Sequence, residues 1–302
     1  MHISRATRML LRAGTALTLA FLYLPLLVIA LYAFNSRRTL KWPIPGLTFD
    51  WFTKAFENPG VREALWTSVK AATGATLIAL TLGTLASLAV SRYRFFGRET
   101  ISFIVILPIA LPGIVTGMAL NSTFTQVLHI DLTLFTVIVG HATFCIVVIY
   151  NNVIARLRRV SGSFEEASAD LGANTWQTFR LVTLPALRSA MVAGALLAFA
   201  LSFDEVIVTT FTAGQQQTLP IWILANLSRP NQLPIVNVVG VLVIMLSAVP
   251  VYLAHRLTVD REGDSAAAGC SSSRPTSATA TAAPAASSPR ARRSSSWSTL
   301  SS

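Results

Sequence analysis

Charge is what this sequence has least of. Only 12% of its 302 residues are Asp, Glu, Lys or Arg, against about 25% in ordinary soluble domains. With 53% hydrophobic residues and a mean hydropathy of +0.58, the chain reads as a membrane protein. Cysteine is nearly missing too. The two present, Cys145 inside an apolar run and Cys270 near the C-terminus, offer neither a disulfide framework nor metal-ligand spacing. His129 and His141 have no His or Cys partner at helical spacing, so no metal site is expected. No GxxxxGK[ST] phosphate cradle occurs, which leaves any nucleotide chemistry to another chain. No clustered His or Ser-His constellation suggests a membrane enzyme, so no catalytic residue is assigned. An ion-coupled secondary transporter, with Asp204 and Glu205 as ion sites, is disfavoured because no internal repeat is evident.

What is present is length without charge. A hydrocarbon core of ~30 Å takes about 20 mostly apolar residues per helix. Six stretches qualify: Gly14 to Phe34, Ala64 to Val90, Ile101 to Thr125, Leu132 to Ala155, Ala190 to Thr212 and Ile235 to Arg256. Six spans put both termini on one side. If that side is the cytoplasm, 17 of the 24 Lys and Arg fall inside and six outside, with Lys70 within the second span. This is the positive-inside bias, and it accounts for the net charge of +11 with no nucleic-acid partner. The first apolar run lacks a small-residue cleavage site and is expected to stay as a span.

The expected division is a cytoplasmic N-terminus (1–13), a first span and external loop (14–63), a transmembrane domain (64–257) holding a polar insert (163–185), and a tail (258–302). The external loop, with its prolines, Trp42 and Trp51, suggests a short amphipathic piece at the interface. Pro108, Pro112, Gly113 and Gly117 in the third span free backbone groups that protein or water must re-satisfy, so a bent helix lining a cavity is expected. The Ser-, Ala-, Thr- and Pro-rich tail cannot bury enough apolar surface to fold and reads as disordered, or as a frame-shifted end.

The insert, EEASADLGANTWQTFRLVTLP from Glu165 to Pro185, carries two helix starts. Ser163 and Glu166 read as a capping box, and Gly172 as the left-handed residue that stops the helix. Asn174 with Gln177 gives a second start, and Leu184-Pro185 is expected to close that second helix. Phe164, Ala167 and Leu171 align as an apolar stripe.

This insert resembles a known element. Glu166-Ala167-Ser168, three residues, Gly172, nine residues, Val182, one residue, Leu184-Pro185 is similar to the EAA loop of inner-membrane permease subunits of ABC importers. Ser168 stands where that family usually has Ala, and Val182 where it usually has Ile. The resemblance implies an all-α membrane protein of six transmembrane helices, with a five-helix permease core and a cytoplasmic coupling-helix loop. It also implies that Glu166, Ala167, Ser168, Asp170, Gly172, Leu184 and Pro185 serve coupling to an ATPase. The implied partners are a second permease subunit, two ATPase subunits that hold ATP and Mg, and an extracytoplasmic binding protein, all at the bilayer of the cell's inner membrane. No cofactor is expected on this chain.

Acids inside a span are costly and are functional candidates by default, which singles out Asp204 and Glu205 in FALSFDEVIVTTFTAG. By helical rise Asp204 lies about 12 Å from the outer end of its run and Lys70 about 9 Å from the outer end of its own. Lys70 is therefore expected to neutralise one acid and leave the other in the substrate pathway. The stretch from Ser202 to Pro234 resembles the second permease subunit of spermidine/putrescine-type importers, which implies a polyamine or similar organic cation as cargo. Relatives of this shape carry ferric iron, thiamine, opines or anions, so those cargoes stay open.

Overall fold

The structure, a computed structural model, describes residues 4–38, 42–93, 96–160 and 162–246. The tail (258–302) and the later part of the sixth expected span lie outside the described residues.

Every regular element described is helical. α1 (Arg5–Ala33) begins at Ser4, whose side chain accepts from the Thr7 amide. α2 (Asp50–Glu57) is the expected short external piece; Trp51 is buried there, and its indole N–H donates to the Asn35 carbonyl at 2.8 Å. α3 (Pro59–Arg92) starts where the Asn58 side chain accepts from the Gly60 and Val61 amides, with Pro59 in the first turn, where a missing N–H costs nothing. The third span is α4 (Arg98–Ala110) and α5 (Gly113–Ser122), extended by a π turn at Thr123–Val127. The two halves bend by 104° at Leu111-Pro112, the break that the prolines and glycines foretell. Then come α6 (Leu134–Leu157), α7 (Ser163–Asp170), α8 (Thr175–Thr178), a second π turn at Phe179–Thr183, α9 (Leu184–Phe203), α10 (Ile207–Thr212) and α11 (Leu219–Leu227). A shorter apolar helix, α12, covers Leu233–Leu246.

Among the described residues four helices are long and apolar enough to cross a membrane, five if the bent pair counts as one span. α6 is the axis of the bundle: 56% of its apolar window is buried, against 6% for α1. Lipid tails supply no hydrophobic drive between helices, so association depends on close packing and on hydrogen bonds. α3 meets that need with small side chains on its buried face, among them Ala71, Ala72, Ala75, Ala79, Gly83 and Ser87. There the Ser87 hydroxyl lies 2.7 Å from the Gly83 carbonyl of its own helix and 3.1 Å from the Tyr150 carbonyl of α6.

Two expectations need correction. Leu184-Pro185 does not close a helix: Leu184 is helical (φ −62°, ψ −45°), and Thr175–Phe203 runs as one 29-residue stretch. The π turn lengthens the hydrogen-bond spacing just before the proline, so that the Leu184 amide pairs with the Phe179 carbonyl while the missing Pro185 N–H is absorbed in a first turn of α9. The fifth span is not continuous from Ala190 to Thr212 either. It breaks between Phe203 and Ile207.

Candidate functional site

The polar insert folds from local signals. Asn174 and Gln177 form the expected capping box, each side chain accepting from the other's amide at 2.9 Å. Gly172 has φ +82°; its amide pairs with the Ala169 carbonyl at 2.9 Å and the Ala173 amide with that of Ser168 at 3.1 Å, the paired bonds of a Schellman stop. The Ser163 capping box is not formed. Gly162 occupies the cap and Ser163 is already helical, so its hydroxyl is one residue too late to reach the third helical amide. Across the turn Ser168 and Thr178 share a hydroxyl hydrogen bond of 3.0 Å. Glu166, Ala167 and Asp170 are exposed, as are Phe164 (63%) and Leu171 (90%) of the apolar stripe, so this face has no partner within the described chain.

The loop is fixed to the bundle by a residue that sequence reasoning passed over. Glu165 forms an ion pair with Arg92 at the last turn of α3, and the same carboxylate oxygen accepts from the Thr183 hydroxyl at 2.7 Å. α7, α3 and the π turn thus meet on one carboxylate. The partners lie 73 and 18 residues away, so no local pattern could announce them.

The structure separates the two acids. Glu205 is half-buried and its carboxylate accepts from the Val208 amide at 3.0 Å, capping α10. Asp204 is exposed; among the described residues nothing pairs with its carboxylate, and it borders a recess of ≈ 270 Å³ lined by Val206, Pro220, Ile223, Leu227 and Val243. Lys70 does not join them. Among the described residues the one ion pair is Arg92–Glu165, while the Lys70 ammonium lies 5.8 Å from the centre of the exposed Trp66 ring. The expected neutralising pair is therefore absent among the described residues, because similar counts of helical rise along two separate helices do not bring their side chains together.

The break itself is anchored from two sides. A Cβ on Gly117 of α5 would stand 2.6 Å from the Phe211 ring, so only glycine lets α5 lie this close to α10. Asn121 donates to the Phe211 carbonyl at 2.6 Å, and the Thr136 hydroxyl lies 2.7 Å from the carbonyls of both Thr133 and Thr212. From α6 the fully buried His141 reaches Ser202 and Thr209, on opposite sides of the break.

Residues 79–262 match the family model of the binding-protein-dependent transport system inner membrane component. The chain belongs to this family. It is 30% identical over 250 residues to the putrescine transport system permease protein PotI of Escherichia coli, covering 80% of this chain and 88% of that one. It is 32% identical over 241 residues to the spermidine/putrescine transport system permease protein PotC of Haemophilus influenzae, covering 79% and 92%. A third relative, in Salmonella typhi, bears the name 2-aminoethylphosphonate transport system permease protein PhnV, with 31% identity over 221 residues, 72% of this chain and 83% of that one. Among solved structures, a chain of the bacterial alginate ABC transporter in complex with its alginate-bound periplasmic protein aligns with a TM-score of 0.64 at 17% identity, covering 83% and 93%. At that identity it speaks for the fold alone.

This chain is thus an inner-membrane permease of an ABC importer, and its relatives are transport permeases rather than enzymes.

Proposed function

We propose that this permease moves an organic cation bearing a primary amine, putrescine or spermidine foremost, with Asp204 in its path. The observation that carries the reading is the free carboxylate of Asp204, set in a break of a membrane helix beside an apolar recess. An unpaired acid at such a place is expensive to keep and is expected to serve a substrate or ion pathway. The relatives support the same chemistry: putrescine, spermidine and 2-aminoethylphosphonate, the compounds in their names, all present an alkylammonium group.

Movement would be driven from outside the chain. Glu166, Ala167, Asp170 and Gly172, all exposed, with half-buried Ser168 and the stripe of Phe164 and Leu171, form a handle for one of two ATPase subunits that hold ATP and Mg. Leu184 and Pro185 sit where that handle continues into α9. A second permease and an extracytoplasmic binding protein complete the assembly, and both termini face the cytoplasm. The 29-residue stretch Thr175–Phe203 rises about 43 Å, more than the ~30 Å hydrocarbon core, so its first turns stand clear of the bilayer beside α7. An ATPase can shift the permease between inward-facing and outward-facing states only through contacts that differ between them, and a handle fused to a span supplies such contacts. The domain division proposed is 1–13, 14–63, 64–257 and 258–302.

The test is uptake of radiolabelled putrescine by cells lacking their own polyamine importers and expressing the complete complex, with unlabelled spermidine and 2-aminoethylphosphonate as competitors. Saturable uptake competed by spermidine is expected. Competition by 2-aminoethylphosphonate alone would move the cargo to aminophosphonates, and no uptake of any amine would overturn the reading. Cysteines introduced at Phe164 and Gln216 give the orientation: only the latter is expected to react with an impermeant reagent in intact cells.

A further inference from the structure

An imidazole buried in an apolar helix is costly unless both nitrogens are hydrogen-bonded. His141 is 0% exposed, with Nδ1 2.7 Å from the Ser202 hydroxyl and Nε2 2.8 Å from that of Thr209. The Thr209 hydroxyl is also 2.7 Å from the carbonyl of Glu205. The two hydroxyls thus meet opposite edges of one imidazole, and Thr209 ties the ring on to the Glu205 carbonyl.

The geometry of that bridge depends on the break. In an unbroken helix residues seven apart stand two turns, roughly 10.5 Å, from each other along the axis, farther than one imidazole bonded at both ends can span. His141 therefore closes over the interruption and holds its two rims, Ser202 on α9 and Thr209 on α10, with Asp204 and Glu205 between them. Glu205 is fixed twice, by its carbonyl to Thr209 and by its carboxylate to Val208. Of the two acids at the break, Asp204 is the one left free to meet a ligand.

We propose that His141 is a positioning residue for the pathway: by bridging Ser202 and Thr209 it sets where the Asp204 carboxylate stands, so that it tunes recognition of the cationic cargo without touching it. This rests on the pathway reading above. A rigid ring with one donor and one acceptor on opposite sides suits the task; phenylalanine keeps the shape and loses both bonds.

The test has two readouts, in the full complex. The first does not depend on cargo: the rate at which a cysteine at position 204, with Cys270→Ser to remove the tail thiol, reacts with a small cationic thiol reagent. It is compared in the His141, His141→Phe, Thr209→Val and Thr209→Ser backgrounds. The second is putrescine uptake with Asp204 intact, resolved into half-saturating concentration and maximal rate per assembled complex. His141→Phe and Thr209→Val should change the labelling rate and raise the half-saturating concentration about tenfold, the size of a lost buried hydrogen bond. Thr209→Ser should restore both. Valine keeps the volume of threonine, so a role in packing alone predicts normal behaviour for Thr209→Val. Unchanged labelling in both variants overturns the proposal whatever the cargo. Altered labelling with Asp204→Asn transporting normally sinks the pathway reading on which the proposal rests.

Discussion

Two helix ends in this permease are made by opposite means. At Gly172 α7 stops through neighbours in sequence: a left-handed glycine, two backbone bonds within five residues, and a capping box that starts the next helix at once. At Phe203 α9 stops with no glycine, proline or capping box, only the acids Asp204 and Glu205 in an otherwise apolar run, and the gap is held by an imidazole about 60 residues away. The first kind of end is self-sufficient, whereas the second is held by contacts from α6 and α10. On the function proposed above, the first would keep the shape of a handle under load and the second would tie the position of Asp204 to the packing of the bundle.

The comparison breaks most severely at Gly172. A Cβ there would meet nothing within 4 Å, so a substitution is penalised by backbone conformation and not by collision. Gly172→Val should cost about 2 kcal/mol in the turn, more than a tenfold loss of correctly shaped loop, while Gly172→Asn, which tolerates a left-handed backbone, keeps most of it. Uptake and retrieval of the ATPase with the purified permease should fall together in the valine variant. Equal behaviour of valine and asparagine would show that the turn's geometry is irrelevant.

At the other helix end the two acids should part company. Asp204→Asn is expected to lower putrescine uptake about tenfold, in keeping with hydrogen bonds to charged groups, with normal assembly. Glu205→Gln retains an amide oxygen that still accepts from Val208, and uptake should stay within about threefold. Reversal of that order would place the ligand at Glu205 and leave Asp204 as a bystander.

A smaller effect is expected where handle and bundle meet. The side chains of Arg92 and Glu165 are 30% and 23% exposed, so solvent screens the pair and it contributes no more than about 1 kcal/mol. Arg92→Met and Glu165→Gln should lower uptake per assembled complex two- to fivefold, roughly that energy, while ATP hydrolysis and ATPase retrieval persist. Exchanging the two charges should recover part of the loss. Loss of ATPase retrieval instead would mean that Glu165 faces the partner and not α3.

Legibility follows the same division. Gly172, the Asn174 box, the bend at Pro112 and the external piece around Trp51 are written in short-range chemistry, and the sequence displays each of them. The start of α7 was displaced by one residue because Gly162 serves as the cap, leaving Ser163 inside the helix. Pro185 misled because a π turn ahead of it absorbs a missing N–H that periodicity alone counts as a stop. His141 offered a signal, a polar ring in an apolar run, but that signal names a need for partners without saying which helices supply them. The break at Asp204 was hidden for the same reason: its caps come from Glu205 folding back and from α6.

The smallest effect concerns Lys70, where matching depth suggested an acidic partner and the described residues give none. α3 has 34 residues, far more than a bilayer needs. The stretch from Lys70 to Arg92 rises about 33 Å, close to the ~30 Å of the hydrocarbon core, so the two cations are spaced to bracket such a core. Lys70 then belongs to the interface, where a long side chain reaches the headgroups and rests against an aromatic ring, as it does against Trp66. An exposed contact of that kind is worth about 0.5–1 kcal/mol, whereas breaking a buried ion pair would cost about 3–5 kcal/mol. Lys70→Met should leave assembly intact and putrescine uptake within about threefold, the range that the weaker contact allows. A collapse of assembly in Lys70→Met, relieved by Asp204→Asn in the same chain, would restore the buried pair and withdraw Asp204 from the pathway.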